Sequence, residues 1–291
     1  MEEMQSRIKM SDGFGVFCRR WRPEQTARST VICLHGIEVH SGAFGFVGPE
    51  LARDGSDVYA FDRRGFGNSN ESDLPRGDTR SFKRHLADLD EVVQGARKDN
   101  PGTKLFLFGH SIGCAYALWY AANYPDSIDG MVLAAAPIDV GFKVPAKDAV
   151  KFPFLKLFSP HSMYNLLDRW PEEFKRSEEF KLITADDLCT GKFGVGWLLS
   201  LQTGLANKML QNSSKLTKPA LVLQGDSDII ALPSGVKKLN ERMTINDKSF
   251  REFKGADHWF YHAIIPRPSA RYELAKKKEV SSAIAEWLSA H

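Results

Sequence analysis

Six short β-rich runs punctuate the chain: STVICLHG at 29–36, VYAFD at 58–62, KLFLFG at 104–109, GMVLAAA at 130–136, PALVLQG at 219–225 and SFREFKG at 249–255. Most are continuously apolar rather than alternating, the pattern of strands buried on both faces of a parallel sheet. Between them lie stretches with helical spacing, among them RSFKRHLADLDEVVQGARKD from Arg80 and SAIAEWLSAH near the end. Strand and helix in alternation predict an α/β fold, a mostly parallel central sheet with helices on both faces. The alternation breaks once, between about Pro137 and Ser214, where no strand pattern occurs. The expected organisation is a core formed by 1–137 and 214–291, interrupted by an inserted helical lid over 138–213.

The insertion carries FPFLKLF at 152–158, Trp170 and FGVGWLLSL at 193–201, with Pro145, Pro153, Pro160 and Pro171 expected to break it into short helices. Phe152, Phe154, Leu155, Phe158, Trp170 and Trp197 are expected to face the active site in part. The apolar surface left over has two open uses: lining a pocket for an apolar substrate, or transient contact with a lipid surface. Lys143, Lys147, Lys151 and Lys156, interleaved with it, suit the second use. The plainer alternative is a lid whose lysines are simply its solvated face.

Composition narrows the class. With 291 residues, 43% hydrophobic and 26% charged, the chain can bury a sizeable core. The formal net charge of +3 is spread over interspersed charges of both signs, which is no nucleic-acid footprint. Cys18, Cys33, Cys114 and Cys189 lie far apart with no zinc spacing, so free buried thiols in a reducing compartment are expected. The N-terminus MEEMQSRIKM has no apolar signal region and no run of 18 apolar residues occurs, so the expected location is cytoplasmic.

The candidate chemistry begins at GHSIG, directly after the run KLFLF and before the helical pattern IGCAYALWYAANY. A serine between two glycines at a strand-to-helix turn is the context of a nucleophile elbow. The turn strains the serine backbone, and Gly109 and Gly113 remove Cβ atoms that would clash. Ser111 is therefore the candidate nucleophile, and the Ile112 N–H, at a helix N-terminus, a candidate oxyanion donor.

A serine hydroxyl needs a base, and the base an orienting acid, each following a later strand. GDSDII after PALVLQG supplies Asp226 and Asp228; ADHWFYH after SFREFKG supplies His258 and His262. Asp228 is favoured because two residues of turn let it reach back over the sheet edge, whereas Asp226 suits loop capping. His258 is favoured as the nearer to its strand end. The loop HGIEVHSG at 35–42 fits the second oxyanion position, with the Ile37 N–H as donor. FDRRGFGNS at 61–69 is another glycine-punctuated loop at a strand end.

Taken together, LHG, DRRGFGNS, GHSIG, QGDSD and GADH, with the insertion after the run at 130–136, resemble the α/β-hydrolase superfamily across nearly the whole chain. HGIEVHSGAF is similar to the HGxxxHSxxF/Y loop of monoacylglycerol lipases and related lysophospholipases, through His35, Gly36, His40, Ser41 and Phe44. The resemblance implies a serine esterase or lipase on small apolar esters, with no cofactor and no metal. Dehalogenases and epoxide hydrolases of the superfamily carry aspartate at the elbow, so Ser111 argues against both. An aminopeptidase would present acidic groups in the lid, and Glu172, Glu173, Glu178 and Glu179 read there as a solvated face. A ligand-binding protein or receptor on the same fold is the alternative of a different class, since fold alone does not choose between them.

Overall fold

A computed structural model describes residues 2–260 and 270–291. Its strands, in chain order, are β1 Met4–Lys9, β2 Gly15–Trp21, β3 Ser29–Leu34, β4 Ser56–Phe61, β5 Lys104–His110, β6 Gly130–Ala134, β7 Met163–Asn165, β8 Lys192–Gly194, β9 Ala220–Gly225 and β10 Lys248–Phe253. Eight of them form one sheet in the order β1-β2-β4-β3-β5-β6-β9-β10. From β4 to β10 all pairings are parallel, while β1–β2 and β2–β4 are antiparallel. This is the α/β-hydrolase fold.

Every residue of β3, β4, β6 and β9 is buried, which is why most of their positions are apolar. The two N-terminal strands escape that pattern. β1 is an exposed edge whose sequence, MQSRIK, is mostly polar, and β2 carries Arg19 and Arg20 among its buried residues. Helices α1 (Val47–Arg53), α2 (Phe82–Asp99), α3 (Ile112–Asn123), α9 (Pro233–Arg242) and α10 (Ala270–Ala290) flank the sheet. α1 packs on β4 and against α10, and α3 packs on β3, β5 and β6.

The chain leaves β3 for β4 on one side and returns to β5 on the other. The loops following β3 and β5 therefore diverge at the carboxyl edge of the sheet, where open α/β sheets form their binding crevice. Between β6 and β9 lie α4 (Ala146–Phe158), α5 (Glu172–Lys175), α6 (Glu178–Ala185), α7 (Val195–Gly204) and α8 (Met209–Ser213), with α4 packed on α7. Two expectations for this segment change. β7 and β8 pair antiparallel here, three residues each, too short to print a periodicity. Pro153 sits inside α4 instead of ending it, forfeiting one helix hydrogen bond, whereas Pro145 and Pro171 do stand at helix starts.

Candidate active site

Ser111 is the residue between β5 and α3, with φ 52° and ψ −123°. A side chain in that backbone region is strained and must be held by its surroundings. Here the Ser111 N–H donates to the Ala134 carbonyl at 2.9 Å, and the Ser111 carbonyl accepts from Cys114 N–H at 2.9 Å. The glycine bracket has a direct steric cause. A Cβ on Gly113 would collide with the Leu34 carbonyl oxygen, and one on Gly109 would stand 2.7 Å from the backbone of Gly113 and Cys114. Ile112 opens α3, so its N–H has no intrahelical acceptor.

The loops after β9 and β10 bring Asp228 and His258 together. His258 Nδ1 donates to Asp228 Oδ2 at 2.8 Å, and Gln224 Nε2 donates to the same oxygen at 3.3 Å. Asp228 Oδ1 accepts the N–H groups of Ile230 and Ala231, both at 2.8 Å. With the ring proton on Nδ1, His258 Nε2 is left as the basic nitrogen; it is buried and has no hydrogen-bond partner among the described residues. The Ser111 hydroxyl and His258 Nε2 are not joined by a hydrogen bond in this structure. Burial opposes charge on His258, yet the Asp228 carboxylate beside it, and then Glu38, hold its pKa above the usual histidine value. His110 Nε2 donates to the His258 carbonyl at 3.0 Å and so anchors that backbone beside the elbow. Asp226 goes elsewhere: exposed, it accepts the Gly255 N–H at 2.7 Å and ties the two loops together. His262 lies outside the described residues.

The loop after β3 is held by groups that sequence reasoning left unassigned. Arg63 donates to the carbonyl oxygens of His35 and Gly36, and its N–H donates to His35 Nε2 at 3.0 Å. His35 Nδ1 donates to the same Gly36 carbonyl at 2.9 Å. In a trans peptide the N–H points opposite to the C=O, so fixing the Gly36 carbonyl toward Arg63 turns the Ile37 N–H away from it. Asp62 pins the same region by accepting the N–H groups of Ser41 and Asn68, each at 2.7 Å. Nothing in DRRG read alone marks Arg63 for this role, because its partners lie 27 and 28 residues back.

A family model described as serine aminopeptidase, S33, matches residues 25–263. The chain belongs to this family of α/β-hydrolases. It is 30% identical to human monoglyceride lipase over 259 residues, covering 85% of this chain and 81% of that one. It is 27% identical to a monoacylglycerol lipase of Mycolicibacterium smegmatis over 283 residues, 93% of this chain and 91% of the other. The crystal structure of Paleococcus ferrophilus monoacylglycerol lipase superposes with a TM-score of 0.75 at 26% identity, over the whole of both chains. In keeping with these relatives, this hydrolase acts on carboxylic esters.

In the hydrolase, Ser111, Ile37, Glu38 and Ile112 open onto a cavity of about 670 Å³ whose far walls come from the segment between β6 and β9. Phe152 and Trp170 line it as expected, and Leu155 is half-buried against the core. Phe154 and Phe158 do not: both are 64% exposed on the outer face of α4. Trp197 is buried in the core, with its ring 5.0 Å from that of Phe66. Glu172 and Glu178 are exposed partners of Lys175 and Lys181, outside the cavity lining.

One trio of potential metal ligands occurs among the described residues, His40, Asp186 and Cys189, with ligand atoms within 4.8 Å of one another. Its hydrogen bonds oppose metal binding. Gly42 N–H donates to His40 Nδ1 at 3.1 Å, so the ring proton sits on Nε2 and donates to Asp186 at 3.1 Å. A metal on Nε2 would drive that proton onto Nδ1, against the Gly42 N–H. Burial, Asp186 and Glu38 also push the Cys189 thiol well above its ordinary pKa, away from the thiolate a metal needs. The trio is better described as the clasp between the loop after β3 and the end of α6. Among the described residues no helix is long and apolar enough to cross a membrane.

Proposed function

We propose that this hydrolase cleaves monoacyl esters with apolar acyl chains through Ser111, His258 and Asp228, beneath a lid formed by residues 138–213. The observation that carries the reading is the buried Asp228–His258 hydrogen bond, which leaves a basic nitrogen with no partner among the described residues, while the strained Ser111 opens onto the apolar cavity. In this mechanism His258 Nε2 takes the Ser111 proton as the hydroxyl oxygen attacks the ester carbonyl carbon. Asp228 holds the Nδ1–H tautomer and stabilises the imidazolium. The N–H groups of Ile37 and Ile112 receive the oxyanion; a donor of this kind is worth on the order of 100- to 1,000-fold in turnover. Collapse expels the alcohol, protonated by His258, and leaves an acyl-Ser111 ester. Water, deprotonated by the same nitrogen, then releases the acid.

The substrate class rests on the apolar cavity and on the relatives named as monoglyceride lipases. The outer face of α4 supports docking on a lipid surface. Val150, Phe154, Leu157 and Phe158 are between 64% and 78% exposed and recur at the i, i+4, i+7, i+8 spacing of one helix face. Lys147, Lys151 and Lys156 are exposed around them, and Phe152 on the opposite face lines the cavity. A cytoplasmic location is supported by four cysteines that form no disulfide.

The test is labelling by a fluorophosphonate probe together with hydrolysis of a p-nitrophenyl ester series of increasing acyl length. Wild-type protein should label and Ser111→Ala should not, with efficiency rising along the series until the cavity fills. Labelling of the alanine variant would move the nucleophile elsewhere. A protein that retained fatty esters without labelling or turnover would be a ligand-binding protein on this fold.

A further inference from the structure

Glu38 is the one ionisable side chain lining the cavity among the described residues. It is 1% exposed, and its Oε1 atom has no hydrogen-bond partner there. A buried orphan carboxyl oxygen is costly, so its persistence calls for a counterpart. Its backbone is fixed: Thr190 N–H donates to the Glu38 carbonyl at 2.8 Å. Two residues earlier the same loop packs on the elbow, since a Cβ at Gly36 would stand 3.6 Å from Ser111 Cβ and 3.3 Å from His110 Nδ1. The His258 ring lies 4.8 Å from that of His110, the residue before Ser111, and its Nε2 is a second buried atom with no hydrogen-bond partner among the described residues, on the ring that becomes positive in the proposed reaction.

The groups that act electrostatically with Glu38 are His258 in the loop after β10, Arg63 in the loop after β4 and Cys189 in the segment after α6. His258 is hydrogen-bonded to Asp228, its ring packs beside that of His110, and Glu38 acts on it electrostatically. Burial pushes the Glu38 carboxyl up to about 7, with His258, its own N–H and Arg63 pulling the other way. His258 and Glu38 therefore favour each other's charged forms.

We propose that Glu38 is a positioning residue for the reaction, a second carboxylate that stabilises the His258 imidazolium from the loop after β3 while Asp228 does so by direct hydrogen bond. The inference rests on His258 being the base. It makes the proton affinity of His258 a function of a residue that belongs to the oxyanion loop, so one short segment, 36–38, carries both an oxyanion donor and a support for the general base.

Glu38→Gln tests it, because the amide keeps the shape and removes the charge, and Glu38→Asp restores the charge on a shorter arm. The His258 imidazole is titrated by NMR in wild type and both variants, its resonance assigned with His258→Ala, and kcat/KM is followed against pH on p-nitrophenyl butyrate. In Glu38→Gln the His258 titration and the acid limb of kcat/KM should both move down by about half a unit to one unit, equivalent to a roughly three- to tenfold change in proton affinity. Glu38→Asp should recover part of the shift. An unmoved His258 titration in a folded Glu38→Gln protein would overturn the proposal, as would a shift to higher pH. A normal His258 shift in a protein that neither labels nor hydrolyses esters would instead uphold the coupling and overturn the reading of the site as an esterase.

Discussion

Asp228→Asn is the change whose outcome the hydrogen-bond geometry dictates most fully. Asp228 Oδ1 already accepts two backbone N–H groups, from Ile230 and Ala231 at 2.8 Å each. An asparagine must keep its single carbonyl oxygen there, because turning the amide would set NH₂ against two fixed donors. The NH₂ then takes the place of Oδ2 and faces His258 Nδ1, now 2.8 Å from Oδ2, and Gln224 Nε2 at 3.3 Å. His258 can satisfy that NH₂ only by accepting on Nδ1, which moves its proton to Nε2, the atom that takes the Ser111 proton in the proposed mechanism. A histidine locked in the wrong tautomer costs on the order of 10⁴ in turnover, about 5 kcal/mol of barrier. The fold should persist, since both backbone bonds to residue 228 survive. The assay is kcat/KM on p-nitrophenyl butyrate near neutral pH, with thermal unfolding as the control for structure. Asp226→Asn serves as comparison, because Asp226 is exposed and its bond to Gly255 N–H needs only one oxygen. A loss of less than about tenfold in Asp228→Asn, or an equal loss in Asp226→Asn, would refute the tautomer argument.

Two further outcomes follow from burial. A carboxyl whose folded pKa lies above its unfolded one binds its proton more tightly when folded, so it subtracts stability as pH rises from about 4.5 toward 7. Glu38→Gln should therefore gain stability over wild type across that window, by up to about 3 kcal/mol above pH 7; parallel urea melts at low and high pH would show it, and a constant difference would contradict it. Opposite faces of α4 should separate in function. Phe152→Ala should lower efficiency on long acyl esters more than on acetate, by about 0.8 kcal/mol for each methylene that loses its wall. Phe154→Glu with Leu157→Glu should weaken sedimentation with anionic phosphatidylglycerol vesicles and leave hydrolysis of soluble esters unchanged; unaltered vesicle binding would remove the docking surface.

What the sequence makes legible is what local sterics impose. Gly109 and Gly113 bracket Ser111 because Leu34 and the first turn of α3 occupy the space their side chains would need. The choice of Asp228 over Asp226 could likewise be reasoned from two residues of turn, and the structure brings Asp228, not Asp226, against His258. β1 and β2 were illegible for the opposite reason: an exposed edge strand and a strand rich in arginine show no apolar run. In α4 the failure is more instructive. Residues 150, 154, 157 and 158 make one apolar stripe and 152 and 155 another, so periodicity detects a helix and cannot tell its inner face from its outer. Only packing decides that Phe152 turns inward and Phe154 outward.

The same distinction explains why the charged members of the site stayed hidden. Arg63 and Glu38 are ordinary letters in a loop until the fold sets one against two carbonyl oxygens and the other into an apolar cavity. Both sit where a buried charge should be removed by selection for stability alone, and both adjoin the peptide that bears the Ile37 N–H. A loop that only had to close over the sheet would be better served by apolar side chains. In the proposed mechanism Arg63 holds the Gly36–Ile37 peptide in one orientation and Glu38 keeps a carboxylate acting on His258, roles that an apolar side chain could not fill. On the proposed mechanism the burial of Arg63 and Glu38 is better explained by the geometry of the reaction than by the architecture of the fold.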